Sequence, residues 1–127
     1  MLINGRLLEI KWIQEFQIKM IELIKNNIET IQDVCKKHQV ISLYLFGSAV
    51  DESKFTQQSD IDFLYEIETE NFNNINNYDY IDNLNDLENS LNSLLSRKID
   101  LVPYKYIHNH IFKKNVDKSS VLIYEKH

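Results

Sequence analysis

Cysteine, proline and glycine are all scarce in this chain of 127 residues, which has one Cys, one Pro and two Gly. The lone Cys35 has no partner for an intramolecular disulfide, which excludes a disulfide-stapled secreted scaffold. No charged n-region, apolar h-region and cleavage site opens the chain, so a reducing cytoplasm is the expected compartment. With 43% hydrophobic and 26% charged residues, the composition also excludes collagenous, low-complexity and disordered classes. A long apolar run is missing too, since charges interrupt even the greasy N-terminal stretch well short of the ~20 residues that cross a bilayer. The last absence is basic excess: 14 Lys plus Arg stand against 19 Asp plus Glu, a net charge of -5 and a pI near 5.3. No basic face is on offer for coating nucleic acid or an anionic membrane. Any polyphosphate must be held locally, by a metal or by backbone amides.

What remains is one domain's worth of chain, able to bury roughly two thirds of its unfolded surface in a single core. Residues 7–37 contain no Gly or Pro and carry Ile13, Phe16, Met20, Leu23 or Ile24, Ile28, Ile31 and Cys35 at helical spacing. This predicts one long helix or two in sequence, with Asn26-Asn27 as the break. Leu7, Leu8, Ile10, Trp12 and Ile18 widen the apolar surface of the first half, either as an interface or because the helix is buried on two sides. Val40–Phe46 is a β-branched and aromatic run stopped by Gly47, read as a buried strand. In the second strand, Ile61 to Ile67, Ile61, Phe63, Tyr65 and Ile67 alternate with Asp62, Leu64 and Glu66. The Asn-rich stretch 71–77 reads as a loop.

Ile81, Leu84, Leu87, Leu91 and Leu94 or Leu95 then mark an amphipathic helix ending near Ser96. Lys98 to Val102 is a third strand ended by Pro103. Ile107, Ile111, Phe112, Val116, Val121, Leu122 and Ile123 fit one or two short C-terminal helices. Strands alternating with helices give an α/β or α+β domain, with a small mixed sheet of three to four strands flanked by helices and covered on one face.

Three features fall at strand ends. Gly47-Ser48 follows the first strand: a Gly lets backbone amides approach a ligand, and a helix starting at Ser48 would aim N–H groups at an anion. Taken alone, such a pair is a turn with an N-cap. Asp60 and Asp62 lie on one face of the second strand by period-two geometry, where like charges raise each other's pKa unless a cation intervenes. Oxygen donors of this kind suit Mg²⁺, although an isolated D-x-D is also a plain turn into a strand. Asp100, flanked by Ile99 and Leu101, calls for a partner such as Arg97 or Lys98, or for a metal. If the strands are neighbours, three Asp converge beside a phosphate-binding turn, as metal-assisted phosphoryl or nucleotidyl transfer requires. His108 and His110 are spaced against a shared helix face, and Cys35 reads as core packing.

The motifs LYLFGS (Leu43 to Ser48), SDIDFL (Ser59 to Leu64) and RKIDLV (Arg97 to Val102) make the chain resemble the minimal nucleotidyltransferases of the DNA polymerase beta-like superfamily. The resemblance spans about residues 20 to 125, including an IYE-like ending at Ile123 to Glu125. It implies a polymerase beta-like nucleotidyltransferase fold over residues 20–127, with residues 1–19 as an N-terminal helical extension and Met20 as a natural start. It also implies that Gly47 and Ser48 bind the nucleotide triphosphate and that Asp60, Asp62 and Asp100 are catalytic and bind two Mg²⁺ ions. In this family a basic residue often stands three after the Ser; here that position is Asp51. The gap from Ser48 to Asp60 is also about one residue longer than the commonest form.

The implied reaction is attack of an acceptor hydroxyl on the α-phosphorus of ATP, with Asp100 as a possible proton acceptor. Family members are commonly paired with HEPN-domain ribonuclease toxins, so the resemblance implies a HEPN-domain toxin partner neutralised by binding or by transfer of AMP to its tyrosine. The alternatives are a binding-only antitoxin and a small-molecule nucleotidyltransferase of the aminoglycoside-modifying type. No direct nucleic-acid or membrane partner is expected, and the N-terminal helix is a candidate oligomer contact.

Overall fold

A computed structural model describes residues 20–69, 78–104 and 119–127. A first short helix α1 (Glu22–Lys25) stops at Asn26-Asn27 and α2 (Ile28–Lys37) begins, so the break falls where the Asn pair predicts it. The Asn27 side chain does not cap α2; its Nδ2 donates to the Leu23 carbonyl at 2.8 Å and so satisfies the end of α1. Strand β1 (Val40–Phe46) follows, then a single 3-10 turn (Gly47–Val50), strand β2 (Ile61–Ile67), helix α3 (Tyr78–Leu95), strand β3 (Ile99–Pro103) and strand β4 (Val121–Glu125). The N-terminal stretch through residue 19, with Trp12, the Asn-rich stretch 71–77, and His108 and His110 lie outside the described residues.

The four strands form one mixed sheet in the order β3-β2-β1-β4. Strand β1 runs antiparallel to both β2 and β4, while β2 and β3 are parallel. Strand β4 corrects one expectation, because Val121 to Ile123 belong to a sheet edge and not to a helix. An apolar run this short carries no period of its own, and its pairing with β1 decides its state. Pro103 lies inside β3 rather than beyond it; on an edge strand of the described sheet its missing N–H is tolerated.

One face of the sheet carries the core. Leu43, Leu45, Ile61, Phe63, Tyr65 and Ile99 pack with Ile31 and Cys35 of α2 and with Leu87, Leu91 and Leu95 of α3, each such Leu contributing roughly 2 kcal/mol through burial. Cys35 is fully buried and free, as core packing requires. Ile81, at the start of the predicted stripe on α3, is instead 51% exposed. Met20 and Ile21 are core residues, and the Ile21 N–H donates to the Ala49 carbonyl at 3.1 Å. The opposite sheet face is not bare, since Leu64 is fully buried there and Ser42 is 5% exposed. No described helix is long and apolar enough to cross a membrane.

Candidate active site

Antiparallel pairing sets Phe46, the last residue of β1, opposite Asp62, and the parallel register sets Asp62 beside Asp100. The end of β1 and the starts of β2 and β3 therefore meet at one end of the sheet, bringing Gly47, Ser48, Asp60, Asp62 and Asp100 together. Asp62 and Asp100 share the face turned away from the helices, because Ile61 and Ile99, one residue earlier in each strand, are buried in the core.

Gly47 is committed to its place twice over. Its φ of +74° lies in the left-handed region that an L side chain strains to adopt, and a Cβ there would stand 2.5 Å from Asp62 Oδ2. The Gly-Ser turn and the Asp62 carboxylate are thus in direct apposition. Ser48 is the second residue of a four-residue 3-10 turn that Gly47 opens, not the start of the α-helix expected to aim its dipole at an anion. What the turn offers is backbone amide donors, the Ser48 hydroxyl and a close approach.

The Asp62 carboxyl is half-buried, and its pKa is pushed above the ordinary carboxylate value, first by burial and then by the charges of Asp100 and Asp60. That is the signature of carboxylates gathered in one place. Asp100 itself is exposed, so it does not need the buried ion-pair partner expected from its apolar neighbours. The two candidate partners are engaged elsewhere: Lys98 Nζ lies 3.7 Å from Asp60 Oδ2, and the Arg97 guanidinium donates to the carbonyls of Thr56 and Ser59. Neither contact follows from the sequence.

Among the described residues, no three His, Cys, Asp or Glu side chains stand close enough together to clasp an ion as they are. Asp60 is drawn toward Lys98. The donor chemistry nonetheless fits a hard divalent cation: all-oxygen ligands, two of them adjacent across a parallel pair, beside a glycine cradle that a Cβ would fill. Asp51, the departure from the family pattern, accepts hydrogen bonds at Oδ1 from the Ser53 N–H at 3.1 Å and the Ser53 hydroxyl at 2.7 Å. It shapes the turn that leaves the Gly-Ser segment.

Residues 29–127 match the family model described as polymerase beta, nucleotidyltransferase. A protein of Methanocaldococcus jannaschii that bears the name "Putative protein adenylyltransferase" is 28% identical over 102 residues, covering 80% of this chain and 92% of the relative. Among solved structures, one described as "Structure of putative minimal nucleotidyltransferase" superposes with a TM-score of 0.60 at 19% identity, covering 80% of this chain and 95% of that one. Another, described as "Crystal structure of the toxin-antitoxin with AMP-PNP", gives a TM-score of 0.55 at 21% identity over 80% of this chain and 75% of that one. At these identities the structural likenesses speak for the fold.

Proposed function

Because this chain belongs to the polymerase beta nucleotidyltransferase family and is an enzyme of that class, we propose that it is the antitoxin of a toxin-antitoxin pair, transferring AMP from ATP to a tyrosine of a HEPN-domain toxin in the cytoplasm. The observation that carries the proposal is the apposition of Gly47 and Asp62, with Asp100 beside Asp62 in register. It sets phosphate-binding backbone against carboxylates in one place. The adenylyltransferase name of the archaeal relative and the AMP-PNP of the toxin-antitoxin structure favour ATP and a protein acceptor.

In the proposed step, the acceptor oxygen forms a bond to the α-phosphorus of ATP, the bond from that phosphorus to the bridging oxygen breaks, and pyrophosphate leaves. Asp60, Asp62 and Asp100 would hold Mg²⁺, which when bound would neutralise charge at the phosphates and lower the pKa of the attacking hydroxyl. We assign triphosphate binding to the amides of the Gly47-Ser48 turn and to the Ser48 hydroxyl. Asp100, exposed at the start of β3, takes the hydroxyl proton. Asp62 is preorganised against Gly47, so little rearrangement accompanies the reaction at that carboxylate. Orientation of donor and acceptor, not a covalent intermediate, carries most of the rate.

The test is co-expression with the adjacent gene product in the presence of ATP and Mg²⁺, read by intact mass and by co-purification. One added AMP on the partner supports the proposal; no nucleotide and no complex refutes it. Asp60→Ala separates transfer from binding, because an antitoxin that works by binding alone keeps neutralising its partner.

A further inference from the structure

We infer that Arg97 is a positioning residue, which clamps the 51–60 loop and thereby sets the place of Asp60 at the mouth of the site. The inference rests on the nucleotidyl-transfer reading for what Asp60 does, but the clamp itself is geometric. The Arg97 guanidinium donates to the Thr56 carbonyl at 2.8 Å and to the Ser59 carbonyl at 2.5 Å, and its Cζ lies 4.6 Å from the centroid of the Phe55 ring. Phe55 in turn packs against the core. One planar group thus grips the loop at three points.

The grip continues without a gap into the strand that carries the Asp pair. Ser59 is held by Arg97, the Asp60 carboxylate faces Lys98 Nζ at 3.7 Å, and the Ile61 N–H donates to the Lys98 carbonyl at 3.0 Å. Three consecutive residues are therefore gripped by the dipeptide Arg97-Lys98. That dipeptide is itself anchored to the end of α3: Asn92 Nδ2 donates to the Arg97 carbonyl at 2.7 Å, and the Ser96 N–H donates to the Asn92 carbonyl at 2.8 Å. Ser96, with φ +53°, turns the chain from the helix into β3 so that Arg97 points across the loop. Both bonds leave one nitrogen, Nη2, so what a lysine at 97 lacks is the planar guanidinium that lies over the Phe55 ring and holds that nitrogen against both carbonyls.

Arg97→Lys tests the clamp, with Phe55→Leu as a second variant that keeps the apolar packing but removes the ring face. Three readouts are taken after circular dichroism has shown the fold intact: hydrogen exchange of peptides covering 51–61, the Mn²⁺ concentration at half-maximal thermal stabilisation, and kcat against KM for ATP. The clamp predicts exchange in 51–61 faster by about tenfold with β1 unchanged. It also predicts a Mn²⁺ midpoint about tenfold higher, and kcat about 10- to 100-fold lower with KM for ATP held within about threefold. Phe55→Leu moves each readout in the same direction by less, and carries the test alone if Arg97→Lys does not fold. Unchanged exchange in 51–61 overturns the clamp whatever the wild type does. Faster exchange with an unchanged Mn²⁺ midpoint and kcat overturns the link to Asp60. A wild type that shows neither a metal shift nor transfer refutes the nucleotidyl-transfer reading instead, and exchange then decides the clamp by itself.

Discussion

The two ends of the sheet are built on opposite electrostatic plans. At one end, Asp62 sits against Gly47 with its pKa raised by burial and by Asp100 and Asp60. At the other, charge is matched and the backbone is tied off: Lys126 Nζ meets Glu68 Oε2 at 2.6 Å, the Glu68 N–H donates to the Gln39 carbonyl at 2.9 Å, and the Lys126 N–H donates to the Ile41 carbonyl at 2.8 Å. A cavity of about 100 Å³ does lie at this second end, lined by Ile41, Tyr65, Glu66, Thr69, Tyr80 and Pro103. None of the gathered carboxylates lines it. The cavity thus lies apart from the proposed site, which is marked instead by the gathering of like charge beside a left-handed glycine.

The comparison breaks most visibly at residues with positive φ. Gly47→Ala is expected to lower nucleotidyl transfer by at least about 100-fold and to destabilise the fold by about 1–2 kcal/mol, because it adds a Cβ at 2.5 Å from Asp62 Oδ2 to a backbone at φ +74°. Initial rates and a urea midpoint check both parts. Asp62→Asn sharpens the same end from the other side. It is expected to lower transfer by about 1,000-fold while raising the thermal midpoint by a few degrees, since it removes a half-buried charge opposed by two others. A lowered midpoint would show that Asp62 is held by favourable contacts and is not strained by its neighbours.

The site end is legible in the sequence because its evidence is local. Gly47 after an apolar run, two Asp at period two and Asp100 in a short strand each announce themselves within a few residues, and the break at Asn26-Asn27 does the same. The fourth strand is not legible, because its state depends on pairing across the chain. Val121, Leu122 and Ile123 serve a short helix as well as a strand, and only alignment with Leu45 and Tyr44 of β1 resolves them. Arg97 is legible as a charge but not as a clamp, since the carbonyls of Thr56 and Ser59 leave no mark in the sequence. Asp100 misleads for a related reason: apolar neighbours imply burial only in a strand covered on both faces, and its side chain is exposed.

Smaller effects belong to the closed end. Burial pushes the Cys35 thiol from 9.0 up to about 12, and Tyr124, near the Glu68–Lys126 pair, is raised mainly by burial and also by Cys35. A raised acid contributes nothing adverse while its unfolded form is still protonated, so stability holds below pH 9 and falls as pH rises from 9 toward 12. The slope approaches about 1.4 kcal/mol per pH unit for Cys35. Urea midpoints across that range check it, and Cys35→Ala flattens the slope even as it lowers stability throughout. Gln39→Gly, at φ +62° between α2 and β1, relieves a left-handed strain that Gly47 avoids, and is expected to stabilise by about 0.5–1 kcal/mol with transfer unchanged.

Lys126→Ala is the mildest change and the cleanest control. Its ammonium is exposed, so the hydrogen bond to Glu68 that raises its pKa competes with water and salt, and the thermal midpoint is expected to move by no more than about 1 °C. Transfer rates stay at the wild-type level, because the paired charges stand at the end of the sheet remote from Gly47. A large loss of activity in Lys126→Ala would mean that the two ends are coupled through β1, whose residues Ser42 and Phe46 pair with Glu125 of β4 and Asp62 of β2 respectively.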